Sequence, residues 1–268
     1  VSKQGTDQRL TAIGSDAGLL EVHSGIFETM RVENGIILHY AAHQRRMQAG
    51  LTYLGLDCDC ALPVSREQTF EEVSGMFPGI STGSWRLKYA VSVRKNGHLS
   101  GIYTASPLPV RDSTSLFLSE HFQIDNTRPS HIKWLDRLAY EGFEKKAAAY
   151  GCEQAVISDA LGNILETSRA NLWVKTDGIW ITPEERKGML FGTAVHWICT
   201  WMRRQGIRFK VKNVTLGSFM NAEGLFLCNA LYPCRPVKAI ISEHETAYGP
   251  FAIPEWKSAL ETAFLEQD

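Results

Sequence analysis

With 268 residues, 44% of them hydrophobic, the chain can fill a substantial core, as one large domain or two smaller ones. Its 28 basic and 29 acidic residues leave a net charge of −1, which removes any broad attraction to a phosphate backbone or an anionic surface, so nucleic acid is not an expected partner. No apolar run approaches the ~18 residues a bilayer span needs, and residues 1–12 are polar with no apolar signal core, so no membrane association and a cytoplasmic location are expected.

Residues 25–32 read as a strand, Asn34-Gly35 supplies a two-residue hairpin turn, and residues 36–40 read as the return. A helix over 41–54 follows, with Met47, Leu51 and Leu54 on one side and Gly55 as its stop. An alternating stretch, 85–93, turns at Asn96-Gly97 into 99–105. Ser106-Pro107-Leu108-Pro109-Val110 then breaks the pattern, because two prolines in three residues do not continue a central strand. Residues 107–112 are therefore expected to link an N-terminal α/β domain (1–106) to a C-terminal domain (113–268).

The second half opens with a helix expected over 133–150, where Leu135, Leu138, Ala139, Phe143 and Ala147 repeat at helical spacing before Gly151. A β-meander is expected next, from strands at 154–158, 164–165, 171–175 and 179–182 with turns at 159–163 and Asp177-Gly178. A helix (193–205), a strand (209–214), two further strands (224–229, 237–241) and an amphipathic helix (254–264) complete the chain. The fold class is α+β in two domains, the second larger and rich in antiparallel strands.

The six cysteines contain no CxxC pair and read as reduced thiols. Cys58 and Cys60 lack a companion pair at zinc spacing, and His43, four residues after His39, reads as packing beside Arg46, so no metal is expected. Lys133 lies in Ser130-His131-Ile132-Lys133-Trp134-Leu135, where apolar neighbours would partly desolvate its amine and favour the neutral, nucleophilic form. Taken alone it is no signal, because a lysine at a helix start is usually a solvated surface residue. Glu166, in Leu165-Glu166-Thr167-Ser168-Arg169-Ala170-Asn171, is either a turn-proximal acid satisfied by Arg169 or a carboxylate placed to hold a proton on a heteroaromatic nitrogen.

Several segments occur in a specific order: Gly25-Ile26-Phe27-Glu28-Thr29-Met30-Arg31, His43-Gln44-Arg45-Arg46, Lys133, residues 159–171, Thr182-Pro183 with Gly188 and Gly192, and Asn229-Ala230-Leu231. In that combination the chain resembles the class IV aminotransferase family, the fold-type-IV pyridoxal 5′-phosphate (PLP) enzymes, over about residues 25–237. The resemblance implies a D-amino-acid-aminotransferase-like fold, PLP as cofactor, a small-molecule substrate and a homodimer. It implies that Lys133 is the Schiff-base lysine, that Glu166 pairs with the pyridine nitrogen and that Arg46 holds the phosphate. Gly192 and Thr193 would open a helix whose amides meet the same phosphate, and Asn171, Asn229 and Ala230 would line the cofactor site. Two departures stand out. Gly192-Thr193-Ala194-Val195 replaces the usual Gly-Ile-Thr-Arg type, and residues 6–24 lack the usual Asp-Arg-Gly segment.

Within the family, Lys133-Trp134-Leu135-Asp136-Arg137-Leu138 and Asn229-Ala230-Leu231-Tyr232-Pro233-Cys234-Arg235-Pro236-Val237 resemble the lyase members. Leu138 stands where branched-chain aminotransferases carry tyrosine. The implied reaction turns 4-amino-4-deoxychorismate into 4-aminobenzoate and pyruvate, a step toward folate. Lys133 would be base and then acid, Thr29 would deliver the pyruvate proton, and Asn229 and Arg86 would meet substrate carboxylates. Two alternatives stay open: an amino-acid aminotransferase of branched-chain or D-amino-acid type, and a non-enzymatic relative without PLP.

Overall fold

The strand expected from Gly25 is realised as β1 (Ser24–Glu33) in the computed structural model, which describes residues 24–56, 65–93, 99–119, 121–124, 127–244 and 247–266. Asn34 and Gly35 both take positive φ, as a tight hairpin turn requires, and the chain returns as β2 (Ile36–Ile37). This return is shorter than the expected 36–40. His39 adopts a left-handed conformation that turns the backbone out of the sheet into helix α1 (Tyr40–Tyr53).

Helix α2 (Arg66–Met76) was not anticipated, although Ser65 marks its start by accepting the Gln68 amide at 3.2 Å. Strand β3 (Ser84–Val93) pairs antiparallel with β1 along its whole length, from Ser24↔Val93 to Glu33↔Ser84. Strand β4 (Leu99–Pro107) pairs with β3 in turn, giving the order β2-β1-β3-β4. Ser106 and Pro107, expected to break the strand, still pair with Arg86 and Trp85. Proline is tolerated there because β4 lies at the sheet edge and Pro107 is its last residue. The Asn96-Gly97 turn, the Cys58 and Cys60 pair and residues 6–23 lie outside the described residues.

The chain divides into two compact units, one formed by Val1–Leu108 with Lys133–Asp136, the other by Pro109–Ile132 with Arg137–Asp268. In the first unit, the segment around Lys133 corrects the expected helix over 133–150. Ile26 and Trp134 form an antiparallel bridge, Phe27 N donates to Lys133 O at 2.9 Å, and Leu135 N donates to Gly25 O at 2.9 Å. Backbone groups committed to β1 cannot also close helical turns, so helix α3 (Leu138–Ala149) starts after Arg137.

The second unit holds a sheet of ten strands among the described residues: β5 (Thr114–Leu118), β6 (Gln154–Ser158), β7 (Asn163–Thr167), β8 (Asn171–Thr176), β9 (Ile179–Thr182), β10 (Phe209–Val211), β11 (Val214–Thr215), β12 (Gly224–Cys228), β13 (Arg235–Ser242) and β14 (Ala247–Tyr248). Their order is β10-β9-β8-β12-β13-β5-β6-β7-β11, with β14 on β13. The expected meander is instead two hairpins, β6–β7 and β8–β9, because β7 and β8 are not neighbours. The strand expected over 209–214 is likewise divided, β10 joining β9 in parallel and β11 joining β7. Most pairings are antiparallel, with parallel ones at β9–β10, β5–β13 and β5–β6. Helices α4 (Thr193–Arg204), α5 (Leu216–Met220) and α6 (Lys257–Leu265) complete the unit. Val195, Ile198 and Met202 of α4 and Leu260 of α6 are fully buried with Trp173 and Phe226 of the sheet. The whole is a mixed α/β protein with one small and one large β-rich sheet, the class expected from the sequence. No helix among the described residues is long and apolar enough to cross a membrane.

Candidate active site

Lys133 is placed by the β1 edge. Its register opposite Phe27 puts its side chain on the strand face that carries Phe27 and Thr29. Lys133 Nζ donates to Thr29 Oγ1 at 3.4 Å and lies 4.8 Å from the centroid of the Phe27 ring. The amine is thus half-buried, against an aromatic face and beside a hydroxyl. Lys88, the cross-strand partner of Thr29, brings a second ammonium to 4.9 Å from the same ring. Arg86 is exposed on this face, opposite Arg31.

The other face of β1 carries Glu28, a buried acid the sequence reading passed over. Arg46 clasps it with two bonds, Nε to Oε1 at 2.7 Å and Nη2 to Oε2 at 2.5 Å, and His43 Nδ1 lies 2.7 Å from Oε2. Burial pushes the Glu28 carboxyl up, but the Arg46 charge and the bonds from Arg46 and His43 outweigh it and hold its pKa at about 2. Burial, with the Arg46 and Lys133 charges, lowers the His43 pKa against the pull of Glu28, so the imidazole is neutral and donates from Nδ1. Arg46 Nη1 has no acceptor among the described residues and is free to take a further oxygen. The structure therefore joins Lys133 to Thr29, and joins Arg46 to Glu28 and His43 in an adjoining cluster whose imidazole feels the Lys133 charge.

In the second unit Glu166 is buried on β7. Leu190 N donates to both its oxygens at 3.3 Å, and Tyr140, half-buried on α3, donates its hydroxyl to Oε1 at 2.9 Å. Arg169 does not satisfy this acid; it pairs with Glu144, at 2.9 Å through Nε. Asn171 serves as a clamp, its Nδ2 donating to Leu190 O at 2.7 Å and its Oδ1 accepting from Gly192 N at 3.1 Å. A Cβ on Gly192 would lie 2.5 Å from that Oδ1, which is why glycine stands there. Gly192 caps α4, and the Thr193 and Ala194 amides of its first turn find no acceptor among the described residues. Val195 in the same turn is fully buried, so apolar packing anchors the start of this helix.

Asn229 turns its carbonyl inward, Oδ1 accepting the Leu231 and Tyr232 amides at 2.9 and 3.0 Å, while Nδ2 donates to Arg169 O at 3.2 Å. Ala230 follows it in the same loop, half-buried. Cys152, Cys199, Cys228 and Cys234 are buried free thiols, and no group of acidic, histidine or cysteine side chains among the described residues is arranged to hold a metal.

Each unit by itself carries groups that suit part of a phosphorylated pyridine aldehyde: the first an amine beside a hydroxyl, the second a buried acid oriented by two donors and a helix start with open amides. The amino-transferase class IV family model matches residues 25–240. Aminodeoxychorismate lyase of Vibrio harveyi is 25% identical over 229 residues, 81% of this chain and 83% of that protein. A Legionella pneumophila structure with a provisional 4-amino-4-deoxychorismate lyase assignment has a TM-score of 0.76 at 18% identity, covering 97% of each chain. A hypothetical aminotransferase from Mycobacterium tuberculosis, in its PLP-bound form, has a TM-score of 0.73 at 17% identity, covering 90% of this chain and 88% of that one. Fold and matched residues together define a PLP-dependent enzyme class. The chain belongs to the class IV amino-transferase family, and PLP is the family's cofactor.

Proposed function

We propose that this protein is a 4-amino-4-deoxychorismate lyase, releasing 4-aminobenzoate and pyruvate for folate synthesis, and that it works as a homodimer in the cytoplasm. The observation that carries the reading is the Lys133 Nζ contact with the Thr29 hydroxyl at 3.4 Å, which joins a base to a second proton-bearing group. The lyase-like segments from Lys133 and from Asn229, and the similarity to the Vibrio harveyi lyase, support it.

Lys133 Nζ is the amine that would hold the cofactor. By the family resemblance, Arg46 of the first unit would have a phosphate-holding role, as would the Thr193 amide of the second, where Glu166 would be the partner of the ring nitrogen. When bound, PLP supplies the electron sink for the substrate carbon that loses its proton. Lys133 Nζ takes that proton from the ring carbon bearing nitrogen. The ether carbon–oxygen bond breaks, the ring becomes aromatic, and the enolpyruvyl methylene gains a proton relayed through Thr29 Oγ1. Substrate and the two products balance without water, oxidant or reductant. Arg86 and Lys88, on the face of Thr29, offer cations to the substrate carboxylates. Asn171, Asn229 and Ala230 shape the loops around the site, the two asparagine side chains being engaged with backbone.

The test is incubation of the holoprotein with 4-amino-4-deoxychorismate while 4-aminobenzoate and pyruvate are quantified together. Equimolar release supports the lyase. Conversion of the cofactor to its pyridoxamine form by amino acids alone, with no pyruvate released, would identify an aminotransferase instead.

A further inference from the structure

Tyr140 has no part in the proton path, yet its hydroxyl is spent on the one acid assigned to the cofactor ring. Tyr140 Oη donates to Glu166 Oε1 at 2.9 Å and lies 3.4 Å from Gly188 O. The Arg137 guanidinium sits 4.9 Å from the centre of its ring while bonding Ser168 O at 2.6 Å, so the phenol ring is also packed against an anchored cation. Burial, then the Glu166 charge, raises the Tyr140 pKa, and the phenol stays a protonated donor at every working pH. With Leu190 N reaching both oxygens at 3.3 Å, the carboxylate is oriented from two elements that are separate in sequence.

We propose that Tyr140 is a positioning residue for Glu166: its hydroxyl engages one carboxylate oxygen, fixes the plane of the acid and keeps it ionised opposite the cofactor's ring nitrogen. This rests on the reading that Glu166 pairs with that nitrogen. A donor on a carboxylate lowers its proton affinity, so in the shared N–H···O contact the proton stays on the ring. Removing the phenol oxygen makes the carboxylate more basic and draws that proton toward Glu166.

The experiment is nitrogen NMR of the holoenzyme loaded with ring-¹⁵N PLP, on wild type, Tyr140→Phe and Glu166→Gln. In Tyr140→Phe the ring-nitrogen resonance should move toward the neutral-pyridine position, and PLP should bind about tenfold more weakly. A more acidic fluorotyrosine at position 140 keeps the shape of the side chain and should move the resonance the opposite way, an ordering that a purely structural strut would not produce. If Glu166→Gln shifts the resonance while both Tyr140 replacements leave it at the wild-type position, the Tyr140 role is overturned and the Glu166 reading stands. A resonance unmoved by Glu166→Gln removes the Glu166 reading and the inference with it.

Discussion

Glu28 holds Arg46 by both oxygens, with bonds of 2.7 and 2.5 Å across the interval between β1 and α1. The pair is nearly dry, the two side chains being 4% and 9% exposed, so neither charge can fall back on water. The folded pKa of Glu28, about 2, lies below its ordinary 4.5. Its stabilisation is therefore complete above the ordinary value and is lost as pH falls from about 4.5 to about 2. Glu28→Gln should cost about 3 kcal/mol at pH 7, because Arg46 is left buried without its counter-charge. Urea unfolding of wild type and variant at pH 7 and again near pH 2.5 checks this. The gap between them should narrow in acid, and an unchanged gap would count against the ion pair as the cause.

Lys133→Ala should abolish covalent cofactor attachment, read as loss of the borohydride-fixed mass increment from the peptide containing residue 133. Thr29 is a gentler probe of the same pair. Thr29→Val removes the hydroxyl at nearly constant shape and should lower turnover by about 10²-fold, within the range for a general acid–base group, and Thr29→Ser should restore most of it. Cofactor loading measured alongside separates lost chemistry from lost binding.

The candidate residues were legible as a pattern and their geometry was not. Lys133, Glu166 and Arg46 stood out because their neighbouring segments occur in a specific order. The conformation around Lys133 was misread because Leu135, Leu138 and Ala139 keep helical spacing, whereas the backbone bonds that hold Lys133 come from β1, far upstream. Local periodicity carries no information about such a partner. Tyr140 and Glu28 were missed for the same reason, since each meets its partner only in the folded chain. Helix α2 is a different case, because Ser65-x-x-Gln68 is a local capping signal that could have been read. The separation of the expected meander into two hairpins was not legible, because turn residues report where strands reverse but not which strand lies alongside.

Gly192→Ala should weaken PLP binding more than its small size suggests. The added carbon falls 2.5 Å from Asn171 Oδ1, the acceptor that holds Gly192 N, so the variant must give up that bond or move the start of α4. A loss of about 1–3 kcal/mol in stability is expected from the overpacking. Asn171→Ala alone should also destabilise, by releasing Leu190 and Gly192 together. In the double variant the collision is gone, so the combined cost should fall below the sum of the two single costs. Thermal unfolding of all four proteins closes the cycle, and strict additivity would show that the two positions act separately.

Gly25 makes a sharper case, because the obstruction there includes backbone. A Cβ at this position would lie 2.5 Å from Leu135 Cδ1 and 2.5 Å from Val91 O, and Gly25 O itself accepts the Leu135 amide. Leu135 is a flexible obstacle, but the Val91 carbonyl belongs to β3, paired with β1 through Ile26. Gly25→Ala should therefore force the Lys133–Asp136 segment off the edge of β1 and take the Lys133 amine away from Thr29. Hydrogen exchange at the Phe27 and Leu135 amides, which bond across this edge, should accelerate at least tenfold while amides within β4 are little changed. Truncating the second partner, in Gly25→Ala with Leu135→Ala, should not restore protection, because the carbonyl remains. Full restoration by Leu135→Ala would instead trace the effect to side-chain crowding and leave the β1 edge as a tolerant support for Lys133.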